Sequence, residues 1–225
     1  MLSPMKAEIK KTAQGLGSLK GGEEHFKTMH GLGYGEIGRT GEEPEPVFLG
    51  TTGVGKVLTS LAVQELIIRL APRIILFGGI GGGVAEDLET GSMVIARDVV
   101  QWDMDASEVG VKKGKVPFLK SGAGIHGQGA VELDRELQEA ALTAGKEYTQ
   151  LRKGRIATGD TFLGKNSVHV KEMVRREFEA DVVDMEGWSA ACVCAVYDTP
   201  LLLLRIVSDT LQGGRPKDIR KFLSS

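Results

Sequence analysis

Three stretches of the chain combine residue types and spacings that could do chemistry. The first, Gly50-Thr-Thr-Gly-Val-Gly-Lys56, fits G-x-x-x-x-G-K between an apolar run and a helical pattern, the arrangement of a loop that cradles phosphates. The next residue is Val57, where such a loop needs a Ser or Thr hydroxyl for Mg²⁺. A plain strand-to-helix turn with Lys56 on a solvated face, or one wall of a nucleoside pocket, are the other readings. The second, Phe77-Gly-Gly-Ile-Gly-Gly-Gly-Val84, places five glycines in six positions behind an apolar run. It reads as a tight turn where a ligand, or another stretch of backbone, comes close. It is not a dinucleotide fingerprint, because Val84 stands where the third glycine would belong. The third is a pair, Val183-Asp-Met-Glu-Gly187 and Arg205-Ile-Val-Ser-Asp209, each with acidic residues at the end of an apolar run. Carboxylates are rarely buried without a partner or a task. Asp209 as a helix cap and Glu186 as the ion-pair partner of Arg205 would be structural tasks; together with Ser208 they also suit a crevice that holds a sugar joined to a leaving group.

Composition narrows the setting. The chain has 225 residues, 41% of them hydrophobic, with 28 basic against 30 acidic side chains, the profile of a folded globular protein expected to form a single domain over residues 1–225. A formal net charge of -2 supplies no general attraction to nucleic acid or to an anionic membrane, so a small-molecule partner is favoured. Cys192 and Cys194, two apart, are not expected to pair with each other. No cationic segment followed by an apolar run opens the chain and no run approaches a spanning helix, which points to a cytoplasmic protein. His25, His30, His126 and His169 show no metal-ligand spacing, so neither a metal nor another cofactor is expected.

The elements that would position these residues alternate in type. Between Gly15 and Pro46 the sequence is rich in Gly, Glu and Lys and predicts weak strands and loops. Pro46–Gly50 and Ile74–Phe77 read as strands around a helix at Val57–Leu70. A strand follows at Met93–Val100, a helix around Val131–Ala144 and a strand near Gly154–Thr158. Val168–Phe178 reads as a helix, Val182–Asp184 as a short strand, Trp188–Tyr197 as a helix and Leu201–Val207 as a buried central strand. Such alternation predicts an α/β fold with a mixed, mainly parallel sheet between helices, in which ligands gather at the strand ends.

With the motifs in this order, the sequence resembles the nucleoside phosphorylase superfamily, most closely the 5′-methylthioadenosine/S-adenosylhomocysteine nucleosidases. The resemblance runs from about Gly50 to Asp209 on Gly53-Val-Gly-Lys-Val57, the glycine run with Leu88-Glu-Thr-Gly91, Asp103-Met-Asp105, Ala157-Thr-Gly-Asp-Thr-Phe162, and the two acidic motifs above. It implies a three-layer α/β/α sandwich with a twisted mixed sheet, a homodimer, and hydrolysis of the bond between adenine and ribose in a 5′-substituted adenosine. That reaction needs an acid on the base side and a positioned water on the sugar side, because an oxocarbenium-like sugar and an anionic base separate. The resemblance makes Asp209 the acid toward adenine N7, which requires a protonated carboxyl. It also makes Glu8, in Met5-Lys-Ala-Glu8, the base that activates water. Glu186 and Asp184 would face the ribose hydroxyls, Arg205 would organise ribose and water, and Met185 would pack on the sugar. Phe162 would stack on the base, Leu163 would offer it backbone hydrogen bonds, and Gly82 and Ser208 would complete the binding set. Two positions depart from the family pattern: Ile80 stands where a serine is usual, and Asp184 where a glutamate is usual. The glycine-rich Leu119–Gln128 region is a candidate loop over the 5′ substituent, and the helix after Asp209 should be short.

Other activities make different demands. A phosphorylase would need phosphate-binding groups, which Ile80 does not supply, leaving Arg205 or an arginine of a partner subunit to do so. A nucleotide triphosphatase would need the hydroxyl that Val57 lacks. A noncatalytic nucleoside-binding protein would keep the pocket and lose the positioned water. Another adenine nucleoside, such as futalosine or adenosylhopane, would keep the chemistry and change the 5′ pocket.

Overall fold

The computed structural model describes residues 1–15, 27–37, 45–116, 129–164 and 166–211. The chain opens with a short strand β1 (Leu2–Ser3) and helix α1 (Lys6–Gly15), then β2 (His30–Ile37), β3 (Glu45–Thr51) and helix α2 (Lys56–Leu70). Next come β4 (Ile75–Gly83), β5 (Met93–Gln101), β6 (Val131–Glu132) and α3 (Arg135–Ala144). The remaining elements are β7 (Leu151–Thr158), α4 (Val168–Phe178), β8 (Val182–Asp184), α5 (Gly187–Val196) and β9 (Leu201–Asp209).

One mixed sheet joins all nine strands among the described residues, with five parallel and four antiparallel pairings. Part of it closes on itself: β4 pairs with β8, β8 with β7, β7 with β5, β5 with β9 and β9 again with β4. Closure leaves these five strands no free edge and buries the inward side chains of Val94, Ile156, Val182 and Leu203. Helices α2 and α5 pack on each other, and α5 is almost continuously buried from Gly187 to Ala191. Both cysteines are free on α5, and burial pushes the Cys194 thiol up to about 12.

Two expectations change. The glycine run is strand, not turn: β4 continues to Gly83, in parallel register with β9 from Ile75↔Leu201 to Gly82↔Asp209. Glycine is required in it by crowding, since a methyl on Gly79 would stand 2.6 Å from Arg205 Nη1 and one on Gly81 2.5 Å from Val182 Cγ1. The helix expected from Val131 begins only at Arg135, because Asp134 caps it by accepting from the Leu137 amide at 2.9 Å, while Val131–Glu132 adds a strand to β5. The Leu119–Gln128 loop and the helix after Asp209 lie outside the described residues.

Candidate active site

The strand β4 gives the site its axis. Opposite Gly79 on β9 lies Arg205; three residues further along β4, Gly82 is flanked by Val183 of β8 and Asp209 of β9. At about 3.3 Å per strand residue the two ends are roughly 10 Å apart, the span of a sugar and a base. A register shift between Gly81 and Gly82 leaves Ser208 out of step with the ladder and brings Asp209 level with Gly82.

At the Gly79 end, Arg205 is fully buried. Its Nε and Nη2 donate to Asp184 Oδ2 at 2.8 and 2.7 Å, and Nη2 lies 3.4 Å from Glu186 Oε2. Its guanidinium also sits over the Phe77 ring, 5.1 Å from the centroid. Nη1, by contrast, has no hydrogen-bond partner among the described residues. A methyl on Gly79 would be wedged between this Nη1 and Glu8 Oε1, 3.2 Å away, so the two atoms converge on one small space.

Glu8 reaches that space from the first turn of α1. Its Oε2 accepts from Ser3 Oγ at 2.6 Å and the Met5 amide at 2.9 Å, and Oε1 accepts from the Ile80 amide at 3.0 Å. Parallel pairing of β1 with β3 and β4 fixes where α1 begins. Glu186 is buried and accepts from the Gly55 amide at 3.0 Å. Burial pushes its carboxyl up to about 7; the charges of Asp184 and Glu8 add to the shift, while Arg205 and the Gly55 amide oppose it.

At the Gly82 end, Asp209 and Ser208 are both buried. Ser208 Oγ lies 3.0 Å from Asp209 Oδ1 and 3.2 Å from the Gly81 carbonyl. Asp209 Oδ2 accepts from Lys171 Nζ at 2.7 Å. Met185 is half-buried between the two ends in sequence. Phe162 is 61% exposed on the segment before α4, whereas the Leu163 side chain belongs to the apolar core, leaving its backbone for any ligand.

Thus Glu8, Glu186 and Arg205 meet at one end, and Asp209, Ser208 and Gly82 at the other. Asp184 is engaged within the protein: Oδ1 accepts from Thr158 Oγ1 at 2.6 Å and Oδ2 from the Gly187 amide and Arg205. So placed, it orients Arg205 and opens α5. Two residues escaped sequence reasoning. Thr158, whose Oγ1 also accepts from the Trp188 amide at 2.8 Å, ties β7 to that carboxylate. Lys171 faces the site from an amphipathic helix where lysines are ordinarily solvated, but it stands three before Val174 and seven before Phe178, both buried, which is the apolar face.

The lysine of the G-x-x-x-x-G-K stretch has different work. Lys56 Nζ donates to Asp103 Oδ1 and Oδ2 at 2.8 and 3.0 Å and lies 3.6 Å from Asp160 Oδ2. Its own amide donates to Asp160 Oδ1 at 2.9 Å. The turn is therefore built around carboxylates, and its Gly55 amide points at Glu186 rather than at a phosphate. Among the described residues no group of His, Cys, Asp and Glu could hold a metal ion, and no helix is long and apolar enough to cross a membrane.

The chain is similar to known proteins in sequence and in fold. The family model described as Phosphorylase superfamily matches residues 2–224. A 5′-methylthioadenosine/S-adenosylhomocysteine nucleosidase of Staphylococcus haemolyticus is 31% identical over 179 residues, 79% of this chain and 74% of the relative. An aminodeoxyfutalosine nucleosidase of Campylobacter jejuni is 34% identical over 180 residues, 78% of this chain and 72% of the relative. Among solved structures, a Campylobacter jejuni 5′-methylthioadenosine/S-adenosyl homocysteine nucleosidase superposes with a TM-score of 0.79 at 27% identity, covering 99% of this chain and 90% of that one. The Helicobacter pylori enzyme with butyl-thio-DADMe-Immucillin-A gives a TM-score of 0.80 at 25% identity, covering 95% and 86%. On the family match over residues 2–224 and the two relatives above 30% identity, the chain belongs to the phosphorylase superfamily, in its nucleosidase branch.

Proposed function

We propose that this protein hydrolyses the N-glycosidic bond of a 5′-substituted adenosine and releases adenine, without a metal or other cofactor. The observation that carries the reading is the fully buried Arg205 Nη1, without a hydrogen-bond partner among the described residues, which converges with Glu8 Oε1 on one space. A buried donor beside a carboxylate acceptor suits a water or ribose oxygen that must be held and deprotonated. Glu8 takes the proton of the attacking water. Glu186 accepts from the ribose hydroxyls, and its charge favours the cationic sugar of the transition state. Across the site Asp209, steadied by Ser208, faces the leaving purine, Phe162 closes on its ring, and Leu163 offers backbone groups; Met185 packs on the sugar and Gly82 admits the base edge.

The finer features belong to the same proposal: one domain, a mainly parallel sheet in a three-layer sandwich, a cytoplasmic setting and a homodimer. The dimer is supported by the apolar outer face of α2, where Val57, Leu58, Leu61 and Ile68 are exposed. Relatives of two names, acting on 5′-methylthioadenosine/S-adenosylhomocysteine and on aminodeoxyfutalosine, supply the candidate substrates.

The test is chromatographic measurement of adenine from these three nucleosides, with phosphate absent and then present. Adenine is expected without phosphate, and Glu8→Gln and Asp209→Asn should each slow its release by ~10²-fold or more. Release only with phosphate would instead make the protein a phosphorylase. Tight binding with no release under either condition would make it a nucleoside-binding protein.

A further inference from the structure

Lys171 is a buried cation with no place in the mechanism above. It is 2% exposed, and the hydrogen-bond partner of its ammonium among the described residues is Asp209, 2.7 Å from Nζ. A methyl on Gly82 would stand 3.5 Å from Lys171 Nζ and 3.7 Å from Asp209 Oδ1, so the pair abuts the part of β4 that faces the base. Burying an ammonium is costly unless it is paired, and cores do better with an apolar residue of the same size where no task requires the charge.

The proton count supplies the task. When Lys171 donates to one oxygen and Ser208 turns its single proton to the other instead of to the Gly81 carbonyl, the Asp209 carboxylate has no proton of its own to give. A leaving adenine needs one at N7, while its exocyclic amine needs an acceptor. We propose that Lys171 supplies the proton the leaving purine takes, passing it through Asp209 Oδ2. The N–H bond of the ammonium breaks as an O–H bond forms on Oδ2, and that proton moves on to N7. The pair of electrons in the bond between C1′ and N9 departs with the purine. Water adds to C1′ and gives its own proton to Glu8. Asp209 returns to the ionised form, Oδ1 accepting from the exocyclic amine; Lys171 is left a neutral amine, which recovers its proton from solvent after adenine leaves. Acting through Asp209, Lys171 is a positioning residue, and the inference rests on the nucleosidase reading.

The experiment compares two leaving groups on one sugar: 5′-methylthioadenosine, and its analogue with 4-nitrophenol in place of adenine. Nitrophenolate departs as a stable anion and needs no proton. Lys171→Gln, which keeps a neutral donor beside Asp209, should slow adenine release by ~10²-fold or more and leave nitrophenolate release within about threefold of wild type. Lys171→Met, close in length to the lysine stem, should behave alike. Equal losses on both substrates, in both variants, would make Lys171 merely structural and overturn the proposal, as would undiminished adenine release. A wild-type protein that frees nitrophenolate or nothing, and adenine from no nucleoside, would overturn the nucleosidase reading itself, and this proposal with it.

Discussion

Glu186 carries a conflict between stability and function. Its carboxyl titrates near 4.5 when exposed and near 7 in the folded protein, chiefly because it is buried. Between those values the folded state holds a proton that the unfolded state has lost. The contribution to stability is therefore fully present below about 4.5 and is lost as pH rises through about 7. Glu186→Gln should remove this fall: thermal unfolding followed from pH 4 to 8 should show a flatter Tm profile, with a gain of roughly 1–3 kcal/mol above pH 7. The same substitution should cost ~10²-fold in adenine release if Glu186 faces the sugar cation as proposed, because it deletes that charge. A variant as pH-dependent as wild type would show that the carboxyl does not ionise where the structure implies. Glu186, Arg205, Ser208 and Asp209 were legible because charge at the end of an apolar run is costly. The position of Lys171 on the face of Val174 and Phe178 carried the same signal, masked by a helix otherwise rich in charge.

The elements were legible wherever periodicity was strong. Val168–Phe178 and Val182–Asp184 have the bounds the pattern suggests, and α2 and β9 extend theirs by one and two residues. The glycine run misled because glycine punctuates turns far more often than it continues strands; its continuation reflects Arg205 and Val182 pressing on β4, contacts that come from elsewhere in the chain. The turn before α2 was ambiguous for a related reason. Its resemblance to a phosphate loop is local, while the partners of Lys56, namely Asp103 and Asp160, lie 47 and 104 residues away in the sequence. These bonds hold the turn so that the Gly55 amide meets Glu186. Lys56→Met should free the turn, raising KM for the nucleoside about tenfold while kcat changes less, because in the proposed site Gly55 holds Glu186, the acceptor for the ribose hydroxyls. Steady-state kinetics would check this, and an unchanged KM would separate the turn from the site.

For the molecule as a whole, α2 buries one apolar face among the described residues and leaves several large apolar side chains exposed on the other. Thr59, Ala62, Val63, Leu66 and Ile67 are buried against the protein, while Val54, Val57, Leu58, Leu61 and Ile68 are exposed. At 3.6 residues per turn the exposed set spans an arc of about 100° on the opposite side, with Leu61 near its centre. Val57 is 69% and Ile68 65% exposed, and the patch continues toward Val196 and Tyr197 at the end of α5, where Gln64 bonds the Tyr197 hydroxyl at 2.8 Å. An exposed apolar patch on a helix, here interrupted by the Glu65–Arg69 ion pair, calls for a cover, and a second copy of the chain would provide one. In a two-fold interface each substitution acts twice. Leu61→Glu would set two charges facing apolar surface, costing ~2 kcal/mol or more per copy, enough to separate protomers at micromolar concentration. Light scattering should give wild type twice the 24.1 kDa chain mass and Leu61→Glu the single mass. Because Leu61 lies outside the core of the protomer, the variant should stay folded by circular dichroism, which separates lost association from lost structure. A wild-type protein that remains single at tens of micromolar would leave this face to another partner and place the whole 5′ pocket within one chain.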